Sequence, residues 1–388
     1  MVMPESRQKD GPIPTYQIDL SLPPAECYVQ LATDFAPEIK SARKLVEWLA
    51  SIFLYRVYSA EETKELKGIS EASGVDLYFL VALNVLLDSL LGCTSGGVMT
   101  SMGQKGGDGK RMMHFRTLDW GMDPLRSVLV VLEFVRSESD NPKRIVGRSI
   151  TYAGFVGILT GVRKDLSVSL NFRPTYSYST FSLRKHQLLV LLAFRPSVCS
   201  IMRSMIVPSD DAQQTNATSL AGHLTTSPKL RCPPCYLVLS DGLRAAVIER
   251  DLDSAEVRID SEFIIVTNND TMSKYSDTKS KVKNEKEKST LGLDIDDWIQ
   301  ESSERMECVW RKWCSVKKRV QKKLLNEGAT SEDLVHGGWA SVKFETLKGW
   351  LRADPVNNEG THFLCIMDPQ NGEIRFMERG IGTSDVME

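Results

Sequence analysis

The chain has 388 residues, of which 42% are hydrophobic and 25% are charged, and its formal net charge at pH 7 is −2. This length is sufficient for one large domain or two ordinary domains with a sizeable buried core. The small net charge excludes a global basic field that would attract nucleic acid, and no stretch of roughly 18 apolar residues predicts a transmembrane helix.

The chain begins with a polar, proline-containing stretch, MVMPESRQKDGPIP, which lacks the apolar core of a secretory signal. The expected location is therefore the cytoplasm. The 8 cysteines are scattered along the chain, at positions 27, 93, 199, 232, 235, 308, 314 and 365. Without a secretory signal, they are expected to be reduced thiols.

The first part of the sequence predicts a strand followed by helices. The segment TYQIDLSL, residues 15–22, alternates polar and apolar side chains, and a Pro-Pro pair closes it. Residues 25–91 then follow helical spacing, and their last stretch, residues 77–91, predicts a strongly apolar helix that stops just before Cys93.

After Cys93 the pattern changes to short runs rich in β-branched residues, which predict an antiparallel sheet. These runs are VMTSM, RMMHFRTLDW, VLVVLEFV, RIVGRSITYAG and LSVSLNF. A helical segment is predicted over residues 183–205, and strands resume in CYLVLSD, AAVIERD and EFIIVTNND. Helical patterns near 295–326 and 331–352 precede a final strand pair around a PQNG turn.

The segment MSKYSDTKSKVKNEKEKST, residues 272–290, breaks the globular pattern with its many lysines. One interpretation is a basic patch for nucleic acid or lipid headgroups. A solvated, mobile loop is favoured, because Tyr275 is the one aromatic side chain that could stack on a base.

The pair Cys232-Pro-Pro-Cys235 has the spacing of a metal-binding or redox motif. No second pair completes a four-ligand zinc site, and a strand rather than a helix is predicted to follow. Structural cysteines are therefore favoured, and no metal or cofactor is expected.

Cys93 lies at the abrupt end of an apolar stretch, which suits a nucleophile better than a packing residue. A thiol becomes a good nucleophile only when another group accepts its proton. If the Gly92–Cys93 bond were cut, the freed α-amine of Cys93, with an ordinary pKa of about 7.7–8.0, could accept that proton. This interpretation requires no histidine beside Cys93.

The stretch HFRTLDWG places Arg116 and Asp119 three residues apart. On an extended strand such side chains point to opposite faces. For both to reach one site, we expect the strand to end or bend between them, helped by Gly121 and Pro124. Taken alone, the two residues favour a surface ion pair instead.

Five blocks of sequence resemble, in order, the acid ceramidase and N-acylethanolamine acid amidase family of the N-terminal-nucleophile (Ntn) hydrolases. They are PTYQIDLSLPPAECY, KGISEASGVDLYFLVALNVLLD, CTS with RTLDWG, TYAGFVGILTG and VTNND. The resemblance implies an α+β fold, the αββα four-layer sandwich of antiparallel sheets. It also implies cleavage before Cys93, so that residues 1–92 become a small subunit and residues 93–388 a catalytic subunit, together a heterodimer.

The resemblance implies a catalytic role for each of five residues. Cys93 would be the nucleophile and, after cleavage, its own base. Asp119 would orient the α-amino group, and Arg116 would support the thiolate or the substrate carbonyl. Asn268 would donate to the tetrahedral oxyanion, and Arg305 matches an arginine that the family carries near the site.

The sequence departs from the family in two places. In the segment Asn171-Phe172-Arg173, Phe172 stands where the family has a glutamate associated with the active-site entrance and self-cleavage. Activation, pH optimum and substrate preference therefore need not follow the family. The missing secretory signal is the second departure, which favours the cytoplasm over the lysosome or vacuole.

The implied reaction is hydrolysis of the amide bond of a ceramide-like N-acyl sphingoid lipid, through a thioester on Cys93 and without a cofactor. An N-acylethanolamine amidase, an acyltransferase of the same family and a non-catalytic lipid-binding relative are the alternatives. The run LLVLLAF, residues 188–194, is interpreted as ordinary core rather than as a slot for the acyl chain. The expected partner is a lipid amide; nucleic acid is not expected, and peripheral membrane contact is compatible with such a substrate.

Overall fold

The computed structural model describes residues 11–42, 54–86, 92–102, 109–173, 180–208, 218–269, 295–327 and 340–381. In chain order the described strands are β1 (Thr15–Asp19), β2 (Gly92–Ser101), β3 (Lys110–Asp119), β4 (Leu129–Val135), β5 (Gly147–Tyr152), β6 (Thr160–Arg163), β7 (Leu166–Phe172), β8 (Cys235–Ser240), β9 (Ala245–Arg250), β10 (Ala255–Asp260), β11 (Phe263–Val266), β12 (Val342–Lys343), β13 (Thr361–Asp368) and β14 (Glu373–Arg379). The described α-helices are α1 (Val29–Asp34), α2 (Ala36–Ala42), α3 (Ala60–Ser73), α4 (Leu77–Leu86), α5 (Thr180–Leu191), α6 (Val198–Ile206), α7 (Leu220–Thr226), α8 (Ile295–Asn326) and α9 (Phe344–Arg352).

Two β-sheets pack face to face, and helices cover their outer faces. Within the described residues, the larger sheet has the order β1-β4-β5-β6-β7-β8-β9-β10, and the smaller sheet has the order β11-β2-β3-β13-β14, with β12 beside β2. Helix α6 packs on β6 and β7 of the larger sheet, whereas α8 and α9 pack on β2, β11 and β13 of the smaller sheet. The predicted αββα order of four layers is confirmed.

The prediction that both sheets are purely antiparallel is wrong for two pairs of strands. β1 runs parallel to β4, with Thr15 opposite Val131 and Asp19 opposite Val135. β12 likewise runs parallel to β2. In both cases the paired strands are distant in sequence, so no hairpin connects them and forces an antiparallel direction.

The predicted single helix over residues 183–205 is two helices, α5 and α6. Between them lie Arg195 and Pro196, and a proline disfavours helical dihedrals at the residue before it. Ala193, just before the break, has a positive φ of 58°. Ser197 then caps the second helix, because its hydroxyl accepts a hydrogen bond from the backbone N–H of Ser200.

The long helix predicted near 295–326 is confirmed as α8. Val309, Trp313 and Val316 recur at helical spacing and are buried in the apolar layer against the smaller sheet. Of the helical pattern near 331–352, the structure confirms α9, Phe344–Arg352. The rest of that pattern, up to residue 339, lies outside the described residues.

The space between the two sheets is mainly apolar, but it contains a buried histidine. His114 of β3 is fully buried, and its Nδ1 and Nε2 each lie 2.8 Å from a hydroxyl oxygen, those of Ser167 and Ser169 on β7. The imidazole thus links the smaller sheet to the larger one. Burial, assisted by Arg116, lowers the pKa of His114 to about 3, so the ring is neutral at physiological pH.

Two further predicted features fall outside the described residues, namely the lysine-rich segment 272–290 and the end of the apolar stretch, residues 87–91. All 8 cysteines lie within the described ranges, and no disulfide bond joins any two of these described residues. Among the described helices, none combines the length and the apolar character needed to cross a bilayer.

Candidate active site

Cys93 is the second residue of β2 and is fully buried between the sheets. The sequence predicted that the strand starts only at VMTSM, but it begins at Gly92. The glycines that weaken the strand signal are required by packing, because a Cβ atom at Gly96 would lie 2.2 Å from the carbonyl oxygen of Ile264 on β11. The close approach of β11 therefore places Cys93 beside the residues that follow that strand.

The thiol and the backbone amide of Cys93 contact different groups. Arg116 Nη2 donates to the sulfur at 3.2 Å, and the sulfur lies 3.6 Å from the carbonyl oxygen of Leu170 on β7. The backbone N–H donates to Asn268 Oδ1 at 2.7 Å. The amide nitrogen is the atom that cleavage before Cys93 would convert into an amine.

Arg116 places a buried positive charge beside the thiol. Its Nη1 donates to the carbonyl oxygen of Leu159 at 3.1 Å, and its Nε has no hydrogen-bond partner among the described residues. A guanidinium remains charged in the protein interior, and its partners here are a neutral carbonyl and the sulfur of Cys93. The arrangement therefore favours an anion at or near that sulfur.

Arg116 and Asp119 lie on opposite faces of a strand that does not bend between them, so the expected bend is wrong. β3 continues to Asp119, and its pairing with β2 is regular, with Gly92 opposite Asp119 and Cys93 opposite Leu118. Arg116 points between the sheets, as its contact with Leu159 indicates. Asp119 contacts Arg305 of α8, on the outer face. The thiol of Cys93 lies on the same face as Arg116, between the sheets. The backbone nitrogen of Cys93 lies at the strand end, next to the outer face that carries Asp119.

Asp119 is held by one hydroxyl and one guanidinium. Thr361 Oγ1 donates to Asp119 Oδ1 at 2.8 Å, and Arg305 Nε lies 3.4 Å from Asp119 Oδ2. Burial raises the pKa of Asp119, while Arg305, Thr361 and Arg116 oppose that shift. The carboxylate is thus fixed at the end of β3, beside the strand position that carries Cys93.

Asn268 connects Cys93 to Arg305. Its Oδ1 accepts from the Cys93 N–H and, at 3.0 Å, from Arg305 Nη2. Its Nδ2 donates to the carbonyl oxygen of Phe172 at 2.9 Å, and its backbone N–H donates to Ser302 Oγ at 2.8 Å. The amide nitrogen expected to bind an oxyanion is therefore engaged by Phe172 in this structure.

The structure brings all five predicted site residues together: Cys93, Arg116, Asp119, Asn268 and Arg305 form a connected set of contacts. Burial raises the pKa of Cys93 to about 11, against the opposing effect of the Arg116 charge. In the uncut chain the thiol is accordingly protonated at neutral pH.

Sequence reasoning missed three residues that hold this set in place. Asn171 accepts from Ser95 Oγ at 2.7 Å and donates to the carbonyl oxygens of Val266 and Thr267, so it ties both sheets together next to Asn268. Ser302 and Thr361 hold Asn268 and Asp119, respectively. For Ser302 the sequence did contain a signal: it lies three residues before Arg305, and this spacing places both side chains on the same face of α8.

Phe172, which stands in the position of the family's glutamate, is the last residue of β7 and pairs with Cys235 of β8. Its side chain is half-buried, and its carbonyl oxygen accepts the hydrogen bond from Asn268. The backbone at this position thus supports the site, although the side chain supplies no carboxylate.

The Cys232–Cys235 pair is buried, and Arg250 Nε donates to the sulfur of Cys232 at 3.1 Å. Across the described ranges, no group of three or more histidine, cysteine, aspartate or glutamate side chains is arranged to hold a metal ion.

The run LLVLLAF is only partly core, contrary to its favoured interpretation. Val190 and Ala193 are buried, but Leu188 and Phe194 have exposed fractions of 53% and 62%. The physical reason is that α5 ends within this run, so its side chains divide between the sheet and the surface.

Comparison with known proteins identifies relatives of this chain. A family model described as the beta subunit of N-acylethanolamine-hydrolyzing acid amidase matches residues 11–60. An N-acylethanolamine-hydrolyzing acid amidase from Caenorhabditis elegans is 30% identical over 185 residues, which cover 42% of this chain and 49% of that protein. An acid ceramidase from Rattus norvegicus is 26% identical over 195 residues, covering 42% and 46% of the two chains.

A solved structure of the Caenorhabditis elegans N-acylethanolamine-hydrolyzing acid amidase ortholog aligns with a TM-score of 0.48 and 18% identity, covering 74% of this chain and 99% of the other. The chain spans about half the length of the curated relatives it matches. The sequence matches confirm the resemblance predicted from the five sequence blocks.

Proposed function

We propose, from the relationship of this chain to the acid ceramidase and N-acylethanolamine acid amidase family, that it is a lipid amidase with Cys93 as the nucleophile. One observation carries the proposal: the sulfur of Cys93 contacts Arg116, while its backbone nitrogen contacts Asn268 and lies at the strand end beside Asp119. A nucleophile that uses its own amine as the base needs a group that stabilises the thiolate and groups that hold the amine, both at the same residue.

Activation would be cleavage of the Gly92–Cys93 bond, which gives fragments 1–92 and 93–388. The Cys93 sulfur attacks the carbonyl carbon of Gly92, and the C–N bond breaks as the nitrogen of Cys93 takes up the thiol proton. Water then hydrolyses the resulting thioester between Gly92 and the Cys93 sulfur, which releases the Gly92 carboxylate and restores the thiol. The amine left on Cys93 would remain between Asn268 and Asp119.

In the amidase reaction the free α-amine accepts the thiol proton, and the thiolate attacks the amide carbonyl of the lipid. The tetrahedral intermediate collapses as the ammonium returns the proton to the departing amine. Water resolves the thioester to a fatty acid and the free thiol. Arg116 stabilises negative charge on sulfur, because its guanidinium is buried and its other hydrogen bond among the described residues is to the neutral carbonyl of Leu159.

Asp119 and Arg305 would hold the base. The Asp119 carboxylate favours the ammonium form of the Cys93 amine and orients it, and Arg305 in turn fixes Asp119 and Asn268. Asn268 would donate to the oxyanion when its Nδ2 exchanges the Phe172 carbonyl for the substrate oxygen. This exchange is favourable because the oxyanion is the stronger acceptor.

The two fragments would stay together as a heterodimer after cleavage. β1 of the small fragment pairs with β4 of the large one, and Glu65 of α3 forms a bidentate buried ion pair with Arg203 of α6, at 2.5 and 2.6 Å. Asn84 also bonds the backbone of Gly154 and Val156. Each of these contacts joins a residue of the small fragment to a residue of the large fragment, so they remain when the Gly92–Cys93 bond is cut.

The proposed substrate is a ceramide-like N-acyl sphingoid lipid, supported by the similarity to acid ceramidases. An N-acylethanolamine is the second candidate, favoured by the family model over residues 11–60 and by the relative at 30% identity. Both are linear amides of a long-chain fatty acid and an amino alcohol, so the same site chemistry serves either.

Intact mass and denaturing gels of purified protein held at pH 4.5 and pH 7.5 test the proposal. We expect two fragments meeting at Gly92/Cys93 in the wild type, a single chain in Cys93→Ala, and two fragments in Cys199→Ala, which removes another fully buried thiol. The cleaved protein is then offered an N-acyl sphingosine and an N-acylethanolamine with the same acyl chain. A wild-type chain that stays whole at both pH values, without hydrolysis, would favour the non-catalytic lipid-binding alternative.

A further inference from the structure

A cavity of about 230 Å³ lies between α5 and the turn that joins β9 to β10. It shares no lining residue with the site at Cys93. Its lining includes Phe181, Lys185, His186, Arg195, Arg231 and Asp253. The proposed amidase reaction uses none of these side chains.

The charge of this cavity is positive. Lys185, Arg195 and Arg231 contribute three cationic side chains against the carboxylate of Asp253, which forms an ion pair with Arg231. Low-dielectric walls concentrate such a field within a concave site, so the cavity favours an anionic occupant.

His186 is buried at the wall of the cavity and contacts one of the cationic groups. Its Nδ1 lies 2.8 Å from Arg195 Nη1, and a guanidinium can only donate, so Nδ1 is the acceptor and the ring proton is on Nε2. Nε2 is buried and has no hydrogen-bond partner among the described residues. The described contact of His186 is therefore with the Arg195 guanidinium, which it holds at the wall of the cavity.

We propose that this cavity binds the phosphate group of an anionic ligand, with the cationic groups of Lys185, Arg195 and Arg231 as donors. Several donors converging on one small site match a tetrahedral oxyanion, which offers more acceptor oxygens than a carboxylate does. Burial, Arg195 and Arg231 lower the pKa of His186 to about 4, and a bound phosphate would raise it.

The phosphate could belong to a lipid headgroup or to a soluble phosphate. At the rim of the cavity, Phe181 has an exposed fraction of 73%, and Leu188, seven residues later on the same face of α5, has 53%. An apolar surface beside a phosphate site suits a headgroup with its acyl chains. The inference does not depend on the proposed amidase activity, because binding is measured without an amide substrate.

The first test is titration of the full 388-residue chain with inorganic phosphate. Calorimetry measures the binding, and NMR of ¹³C-labelled histidines measures the pKa of His186. We expect Lys185→Glu and Arg231→Gln to weaken binding about tenfold. Arg184→Glu is the matched control: it makes the same charge change on the neighbouring residue of α5, outside the cavity lining, and should leave binding within about twofold. Phosphate should also raise the pKa of His186 in the wild type.

The second test is co-sedimentation with phosphatidylcholine vesicles, with and without phosphatidic acid. Recruitment that requires phosphatidic acid, and that Lys185→Glu weakens more than Arg184→Glu does, identifies a lipid headgroup. Binding of inorganic phosphate without recruitment to vesicles identifies a soluble phosphate. Absence of binding to both probes, or equal losses in Lys185→Glu and Arg184→Glu, would overturn the proposal.

Discussion

The guanidinium of Arg116 lies 3.2 Å from the sulfur of Cys93 in the interior between the two sheets. The contact sets two large effects against each other, because burial disfavours the thiolate and the adjacent positive charge favours it. In the uncut chain burial has the larger effect, and the pKa of Cys93 is raised to about 11. The reactivity of this thiol should therefore respond strongly to the loss of either effect.

Arg116→Met should raise the pKa of Cys93 further, since it keeps the apolar volume and removes the charge. We expect slower alkylation of Cys93 by iodoacetamide, an alkylation-rate profile displaced to higher pH, and a fall in amide hydrolysis of about 10²–10³-fold. Peptide mass spectrometry of alkylated cysteines measures the first two effects.

The matched control for this substitution is Arg111→Met, on the same strand, where the arginine pairs with Asp368 instead. It should leave the alkylation of Cys93 unchanged. If Arg116→Met also left the pH dependence of alkylation unchanged, the proposed influence of its charge on the thiol would be wrong.

Asp119→Asn should change the pH profile as well as the rate of hydrolysis. The carboxylate favours the ammonium form of the Cys93 amine, so its removal lowers the pKa of that amine. Because the base must be unprotonated, the acidic limb of the pH–rate profile should move to lower pH, while the maximal rate falls about 10²-fold as the amine loses its orientation.

Initial rates across the pH range measure this effect, with Asp123→Asn as the control. Asp123 is close in sequence, but it pairs with Arg126. A rate loss in Asp119→Asn without displacement of the acidic limb would mean that Asp119 acts only on the structure of the site.

The sequence motifs were sufficient to predict the five residues that meet at Cys93, but not how they meet. Period-two alternation correctly places Arg116 and Asp119 on opposite faces of β3. It does not reveal that the thiol and the nitrogen of Cys93 face different groups, which makes a bend unnecessary. The group that Asp119 faces is Arg305, which lies on a helix almost 190 positions further along the chain, so local sequence patterns do not reveal this contact.

The fold was predictable wherever the signal was local. The apolar spacing along α8 and the final hairpin were predicted correctly, because each depends on neighbouring residues. The direction of β1 was not, because its partner β4 is more than 100 residues away and no turn links them. Likewise, the contact of Asn268 with the Phe172 carbonyl joins two sheets and leaves no periodic signal.

The buried pair of Glu65 and Arg203 should be important for attachment of the small fragment. Glu65→Leu leaves the Arg203 guanidinium buried without its carboxylate, so we expect a loss of about 3–5 kcal/mol in the free energy of unfolding. The double variant Glu65→Leu/Arg203→Met replaces both charges by apolar groups and should recover most of that loss. Urea unfolding of both single variants and of the double variant measures the coupling.

The same variants test whether the fragments stay together after cleavage. We expect Glu65→Leu to release more of the small fragment during size-exclusion chromatography than the double variant does. Losses in the two single variants that simply add in the double variant would show that the pair makes no coupled contribution across the fragments.

His114 should make the fold less stable in acid. Its folded-state pKa is about 3, against about 6.5 for an unfolded histidine, so between these values the unfolded chain binds more protons than the folded chain. The contribution of the neutral ring is therefore complete above about pH 6.5 and is lost as the pH falls towards 3, by about 1.4 kcal/mol per pH unit. His114→Gln keeps a polar side chain between Ser167 and Ser169 but does not titrate.

Urea unfolding at several pH values between 7 and 4 separates this effect from other titrating groups. At pH 7 the wild type should be more stable than His114→Gln, and the difference should shrink with each step towards acid. Ser169→Ala removes one partner of the ring and retains the imidazole, so its stability should keep more of the wild-type pH dependence. A difference between wild type and His114→Gln that stays constant from pH 7 to pH 4 would mean that His114 titrates alike in the folded and unfolded chains, and that burial does not hold it neutral.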